Sequence, residues 1–176
     1  MKCTARAASR AMGVLLIMGA LAALNVTSID AGGKPERLPY DVPSQQTFGA
    51  GEVCPFPVLF TVVENKVTVK VFPADENGDV REFLNGRFTL RVTNQTTGES
   101  RVFNSSGPST LTFHPDGTVD QVQHGSAVFQ FYPGEPFGPN LYLLNERLAV
   151  HFSPEFVVLS ATHSGRMTSI CDLLAG

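Results

Sequence analysis

Short hydrophobic runs separated by turn residues recur along most of the chain. In residues 86–93, GRFTLRVT, every second residue is apolar, and residues 67–72, VTVKVF, alternate in the same way. A period of two places the apolar side chains on one face of a β-strand. About ten such runs are separated by turn signals roughly every eight to twelve residues, which is typical of antiparallel sandwiches and barrels.

The tripeptide Pro-Asp-Gly at residues 115–117 predicts a hairpin between the runs on either side of it. Proline fixes φ and the glycine accepts a positive φ, so the turn has a backbone reason to form. In the second of the two runs Val119 and Val122 are three positions apart, so in a regular strand they would face opposite sides of the sheet. This predicts a β-bulge near Asp120.

The fold class follows from these runs. No segment except the last few residues has a convincing helical period, and sequential antiparallel strands need no helical crossover. We therefore expect an all-β domain, a single antiparallel meander that closes into a small barrel or a barrel-like sandwich. Closure would remove the edges of the sheet, and an open sandwich is the alternative.

The first 31 residues have the pattern of a signal peptide. Basic residues precede an uncharged apolar run at residues 11–24, and small and polar residues follow it. Cleavage after Ala31 is favoured and cleavage after Ser28 is the alternative. The run is shorter than the roughly 20 residues of a membrane-spanning helix, so we expect no stable membrane span after cleavage, although an uncleaved signal anchor is a second possibility.

The remaining chain divides into two parts. Residues 32–53 are rich in proline and polar residues, which predicts an extended arm with little structure of its own. Residues 54–176 contain the alternating runs and form the predicted β domain.

Removal of the leader takes Cys3 with it and leaves Cys54 and Cys171. An even pair of cysteines in an exported chain predicts a disulfide bond. A bridge within one chain is favoured, and a bridge between chains or two free thiols are the alternatives. An intramolecular bridge would require Cα atoms about 4.4 to 6.8 Å apart, so the beginning and end of the sheet would be neighbours.

Composition and charge exclude some partners. The 176 residues are 43% hydrophobic, enough for one domain with a sizeable core. Thirteen basic and 16 acidic residues give a formal net charge of -3, without the basic field that a phosphate backbone requires. Nucleic acid is therefore not an expected partner.

The histidines and carboxylates give no recognisable active site. The predicted hairpin registers place His114 about six residues from His124, and His151 about six residues from His163, which is roughly 20 Å. We therefore expect exposed histidines. The sequence Asp-Glu-Asn-Gly-Asp at residues 75–79 matches a calcium-binding loop poorly and predicts a solvated turn. No catalytic residue, metal site or cofactor is predicted.

The chain resembles a family of small secreted actinobacterial proteins of unknown function. The resemblance rests on CPFPVLF at residues 54–60, the Gly-Arg strand starts, the Pro-Asp-Gly turn and ICDLL at residues 170–174. It covers roughly residues 54–174 and implies a secreted β domain with a terminal cystine. It implies no activity and no functional residue.

These observations predict a secreted, non-catalytic module with a binding or interaction role at the cell envelope or outside the cell. Its partner would be an unknown protein or a small apolar ligand. The alternatives are a carrier of a small apolar ligand and a barrel-mouth isomerase or hydrolase that uses a histidine with Glu146 or Asp120. A dry core packed with phenylalanines would argue against a ligand site, and a cavity of about 300 Å³ or more with converging polar groups would support one. The phenylalanines expected there are Phe88, Phe113, Phe129 and Phe131.

Overall fold

The computed structural model describes residues 35–176, so the predicted signal peptide lies outside the described residues. This part of the chain is all-β, with fourteen strands and one short helix. The elements are β1 (Glu36–Pro39), β2 (Gln45–Phe48), β3 (Val58–Asn65), β4 (Thr68–Val71), β5 (Val80–Asn85), β6 (Phe88–Asn94), β7 (Ser100–Asn104), β8 (Ser109–Phe113), β9 (Val119–His124), β10 (Ala127–Phe131), β11 (Asn140–Leu144), β12 (Arg147–Phe152), β13 (Val158–Ser164), β14 (Met167–Ser169) and α1 (Ile170–Leu174).

The strands form three antiparallel sheets. A seven-stranded sheet has the order β1-β4-β5-β8-β9-β12-β13, a four-stranded sheet the order β2-β3-β6-β7, and a three-stranded sheet the order β10-β11-β14. The Pro-Asp-Gly turn joins β8 to β9 as the sequence predicts, because Phe113 pairs with Val119.

Strands that follow one another across the shortest connections do not pair. β3 and β4 lie in different sheets, and so do the members of the pairs β5–β6, β7–β8, β9–β10, β11–β12 and β13–β14. Each such pair acts as one long strand that bends from one sheet into the next. The bent strands pair with one another in chain order, as in a meander. The exception is β7 and β10, which lie close together without forming a ladder. There the Val128 N–H of β10 donates to Ser105 Oγ, just after β7, at 2.9 Å.

The bends are bonded to one another and form a line that we call the crossing seam. It comprises residues 65–67, 85–87, 104–108, 124–126, 145–146 and 164–166. Backbone N–H groups of Lys66, Gly125 and Asn145 donate to the carbonyls of Arg87, Glu146 and Arg166. The seam therefore satisfies backbone groups where the ladders are interrupted.

The described strands form no closed barrel, which corrects the favoured sequence prediction. Closure would require a ladder between the two edges of the seven-stranded sheet, β1 and β13. β1 has only four residues and ends at Pro39, whereas β13 has seven. A short edge strand that ends in proline offers few groups for further pairing.

The predicted arm, residues 32–53, contributes two strands. β1 pairs with β4, and β2 pairs with β3. Phe48 at the end of β2 is buried and its ring lies 4.9 Å from that of Phe60. Pairing with existing sheet edges supplies the structure that this segment was not expected to have.

The β-bulge predicted near Asp120 is absent, because β9 pairs with β8 and with β12 in continuous register. Val119, Gln121 and Gln123 are the buried residues of β9, and Val122 faces outward. The prediction assumed that both valines face the core. The buried glutamines are the feature that the hydrophobic pattern conceals.

The core consists of two clusters, and the three-stranded sheet contributes to both. One cluster joins the four-stranded sheet to α1 and includes Val92, Leu141 and Leu174. The other joins the seven-stranded sheet to the opposite face of β10 and includes Phe131 and Leu148. Of the four phenylalanines expected in the core, three are fully buried and Phe113 is half-buried.

The predicted Cys54–Cys171 disulfide is present, with Cα atoms 5.5 Å apart. Cys171 lies in α1, which begins after Ser169, whose side chain caps the helix by accepting from the Asp172 N–H. The Asn94 side chain donates to the Leu174 carbonyl at 2.9 Å and fixes the other end of the helix. Within residues 35–176, no helix has the length and apolar character needed to cross a membrane.

Candidate functional site

A cavity of about 80 Å³ lies where the three sheets meet. Its apolar wall is formed by side chains of both core clusters, among them Phe60, Phe88 and Leu90 from the four-stranded sheet and Phe129 from β10. Asn85 also lines the cavity and is exposed, so the cavity reaches the surface beside the crossing seam.

Part of the lining is polar, and we call this part the polar wall. Ser109 of β8, Gln121 and Gln123 of β9 and Gln130 of β10 all line the cavity and are all buried. Gln121 and Gln123 point inward because they share the parity of Val119 in β9. Four buried polar side chains around one space are unusual for a hydrophobic core, where burial of an unsatisfied polar group is unfavourable.

Gln121 is only partly satisfied. Its Nε2 donates to Ser109 Oγ at 3.1 Å, but its Oε1 has no hydrogen-bond partner among the described residues, and the side chain is only 3% exposed. A buried acceptor without a partner destabilises the fold by about 1 to 3 kcal/mol.

Gln123 is held in place by the crossing seam. Its Nε2 donates to the carbonyl oxygens of Gly107 at 2.7 Å and His124 at 3.2 Å. A Cβ atom at Gly107 would overlap the His124 carbonyl oxygen, so this position requires glycine. The polar wall thus depends on the close approach of two bends.

The lining carries no charged side chain in the described part of the chain. Among the described residues, Tyr40 is the only ionisable one that lines the cavity, and burial, together with the nearby Glu82, raises its pKa above the usual range. Burial also raises the pKa of Glu82. The environment of the cavity therefore favours neutral groups.

A second cluster lies on the outer face of the seven-stranded sheet. His114 contacts Asp79 Oδ1 through Nδ1 at 3.0 Å and Asp120 Oδ2 through Nε2 at 3.1 Å. Asp120 Oδ1 lies 2.7 Å from His151 Nδ1. We call these four side chains, Asp79, His114, Asp120 and His151, the Asp-His chain.

The hydrogen bonds of this cluster shift two pKa values. Those with Asp120 and then Asp79 raise the pKa of His114. Burial alone would raise the pKa of Asp120, but its hydrogen bonds with His151 and His114 outweigh this effect and lower it. The cluster therefore favours protonated His114 beside ionised Asp120.

The expectation of exposed histidines holds for His124 and His163, whereas His114 and His151 are half-buried and meet through Asp120. His124 lies opposite Pro108, six residues from His114 as predicted. His163 lies opposite Leu148, three residues from His151 rather than the expected six, because the turn after Phe152 is longer than expected and a bulge follows His151. His114 and His151 belong to different hairpins that meet only because β9 pairs with β12, which a register within one hairpin cannot reveal.

Asp120, His151 and Ser160 lie in one row across β9, β12 and β13. Ser160 is exposed and, in the described part of the chain, makes no hydrogen bond with His151. Glu146, the other carboxylate expected to partner a histidine, lies in the crossing seam and bonds to no histidine side chain of residues 35–176.

The acidic loop at residues 75–79 is a turn closed by its own side chain. Asp75 Oδ1 accepts from the backbone N–H groups of Asn77 and Asp79 at 2.9 and 3.1 Å. Within residues 35–176, no group of three or more histidine, cysteine or acidic residues is arranged to hold a metal ion.

Comparison with known proteins adds no relative. No family model, curated protein or solved structure matches the chain.

Proposed function

We propose that this protein is a secreted, non-catalytic binding module and that its ligand occupies the cavity between the sheets. The observation that carries the proposal is the cavity between the three sheets, whose lining includes four buried polar side chains, those of Ser109, Gln121, Gln123 and Gln130. Ligand pockets typically combine an apolar lining with a few polar groups that orient the ligand.

The cavity limits what the module can carry. About 80 Å³ falls short of the roughly 300 Å³ that we set from the sequence as support for a ligand site, so the cavity does not meet that criterion and admits only a small ligand. The polar wall disfavours the purely apolar ligand considered from the sequence, because such a ligand would cover polar side chains without forming hydrogen bonds with them. A small ligand with a polar group fits both walls.

Secretion is supported by the signal-peptide pattern of residues 1–31, by the disulfide bond and by the resemblance to secreted proteins. Mass spectrometry of protein purified from culture medium, with and without reduction, tests this part of the proposal. We expect a mass that lacks residues 1–31 and a gain of two hydrogens on reduction. An intact leader on membrane-bound material would contradict it.

Nuclear magnetic resonance tests the ligand site. Compounds of no more than about five non-hydrogen atoms are titrated while the side-chain amide signals of Gln121 and Gln123 are followed. We expect at least one compound to shift both signals to saturation while the signals of exposed Gln45 and Gln95 stay unchanged. If no compound does so, the cavity is not a binding site.

A hydrolase is the second candidate, favoured by the row of Asp120, His151 and Ser160. In this reaction Ser160 Oγ would attack an ester carbonyl while His151 takes its proton, and the ester C–O bond would break as His151 returns that proton to the leaving alcohol. Water, deprotonated by His151, would then hydrolyse the acyl-serine, releasing the acid and restoring Ser160. A fluorophosphonate probe would then label the protein, and S160A would abolish labelling while S164A, which alters another exposed serine of β13, would not. Unlabelled wild-type protein would eliminate this candidate.

A further inference from the structure

We infer that β13 is the docking edge for a second copy of this chain, which pairs with it antiparallel about a two-fold axis. The inference goes beyond the proposed function, because it involves neither the cavity nor the Asp-His chain. It rests on the length and composition of β13, on the direction of its backbone groups and on the exposed apolar side chains beside it.

β13 is the longest edge strand in the described part of the chain. Natural sheets protect their edges with short strands, charged residues or proline. β1, β2 and β14 have three or four residues each, β7 carries Arg101, which pairs with Glu99, and β10 bonds to Ser105 beside β7. β13 has seven residues, with no proline, lysine, arginine or acidic residue, and its bulge lies before Ser160. Residues 160–164 therefore form an unprotected edge.

Two residues of β13 direct their backbone groups away from the sheet. Bonded and non-bonded pairs alternate along an antiparallel ladder, and the Asn145 N–H, which donates to the Arg166 carbonyl, sets that alternation between β12 and β13. Ala161 and His163 fall at the non-bonded positions, so their N–H and carbonyl groups face outward. No described residue bonds to these groups. A further strand would therefore satisfy them.

A second copy fits this edge without conflict. With Thr162 on the two-fold axis, Ala161 of each copy lies opposite His163 of the other, and their outward N–H and carbonyl groups bond to one another. On the outer face Thr162 then meets Thr162, and Ser160 meets Ser164, and cross-strand hydroxyl pairs of this kind are favourable. No lysine, arginine or acidic side chain lies on either strand, so like charges do not oppose self-pairing.

Exposed apolar side chains flank the same edge. Phe137, Val157 and Leu159 are each at least 40% exposed, and the ring of Phe137 packs on that of His163 with centroids 5.5 Å apart. In the two-fold register Ala161 of the second copy lies beside His163, so Phe137 becomes less exposed on pairing. The contact surface is nevertheless small, and small interfaces give weak association.

Analytical ultracentrifugation of the purified protein, with its disulfide intact, tests for this dimer. We expect a reversible dimer with a dissociation constant of about 10 to 100 µM. A161P removes an outward N–H but no bond to β12, and should weaken the dimer at least about tenfold. Protein that stays monomeric at about 1 mM, or a folded A161P variant that dimerises like wild type, would overturn the inference.

V102P is the matched control for A161P. Val102 is also exposed in an edge strand, and its N–H also faces away from the neighbouring strand, because the Asn94 N–H donates to the Glu99 carbonyl and sets the alternation between β6 and β7. V102P should leave the dissociation constant within about twofold of wild type. Equal weakening by V102P and A161P would show that β13 is not the docking edge.

Cysteine cross-linking tests the register and does not depend on A161P folding. Opposed residues of a non-bonded pair have Cα atoms about 4.5 Å apart, within the range of a disulfide. T162C places the new thiols of two copies opposite each other, so a glutathione redox buffer should yield a covalent dimer. S164C is the control on the same exposed face, because its thiol would lie opposite Ser160 and should yield little dimer. No cross-linking of T162C, or equal cross-linking of both variants, would overturn the inference.

Discussion

Cys54 and Cys171 are 117 positions apart in the sequence, yet their Cα atoms lie within 5.5 Å. The bond ties the segment before β3 to the helix after β14. Both sulfur-bearing residues are buried in the same core cluster as Ile170 and Leu174. The cystine is therefore part of the packing that holds α1 against the four-stranded sheet.

Removing this bond should destabilise the protein strongly. Crosslinking a loop of about 100 residues lowers the entropy of the unfolded chain enough to stabilise the fold by roughly 4 to 5 kcal/mol. We expect the double variant C54A/C171A to lose about 4 kcal/mol of unfolding free energy in urea. Reduced wild-type protein should lose a similar amount, and a loss below about 1 kcal/mol in both would show that the bridge contributes little.

The Asp-His chain should make stability depend on pH. The raised pKa of His114 means that its contribution is complete below the unfolded value of 6.5 and is lost as pH rises through the higher folded value. The lowered pKa of Asp120 means that its contribution is present above 3.8 and is lost as pH falls through the lower folded value. The cluster therefore stabilises the fold most between pH 3.8 and pH 6.5, the two unfolded pKa values.

We expect the unfolding free energy to decrease as pH rises above 6.5, and H114Q to reduce that decrease. H124Q is the control, because His124 lies exposed at the end of β9 outside the Asp-His chain. Histidine signals followed by nuclear magnetic resonance should give a pKa for His114 above 6.5. A folded pKa at or below that value would contradict the cluster as described.

Gly107 should not tolerate a side chain. In G107A, the new Cβ atom would meet the His124 carbonyl oxygen, and the backbone at the seam would have to move. We expect a loss of about 1 to 3 kcal/mol, measured by thermal and urea unfolding. At Gly49 an added Cβ atom would make only ordinary contact with Glu52, so G49A should change stability little. Equal effects of the two substitutions would refute the close approach.

Glu146 adopts a φ of 96°, a conformation that favours glycine. Its backbone carbonyl accepts a hydrogen bond from Gly125 in the crossing seam. E146G should therefore leave stability unchanged or raise it by up to about 1 kcal/mol, even though glycine increases the entropy of the unfolded chain. The same change at exposed Glu76, which has no positive φ, should bring no gain. Marked destabilisation by E146G would show that the backbone is unstrained.

The hydrophobic pattern predicts the strands well and their partners less well. Residues 58–63 and 67–72 are both recognised as β-structure from the sequence, and the polar residues between them indicate a change of direction. The structure uses that change to pass from one sheet to another, because Lys66 bonds to Arg87 of the neighbouring bend. Asparagine and glycine permit both a reversal and a bend, so the sequence alone does not distinguish them.

The sites are predicted less well for two reasons. Glutamine is normally an exposed residue, so Gln121 and Gln123 suggest the outer face until the continuous register of β9 places them inside. The Asp-His chain requires the pairing of β9 with β12, which lie in hairpins separated by β10 and β11. Nothing in the sequence around Asp120 or around His151 indicates that long-range pairing.

The ordered pairing of bent strands has a consequence for how the protein reaches its native state. Each long strand needs only its predecessor as a template, so assembly can advance along the chain, although single pairings span as many as 36 positions, as between Val58 and Asn94. The cystine is the exception, since Cys54 must wait for a partner 117 positions later. Its thiol is thus exposed to oxidants for most of assembly, and capture by the wrong thiol is the error to which this topology is most vulnerable.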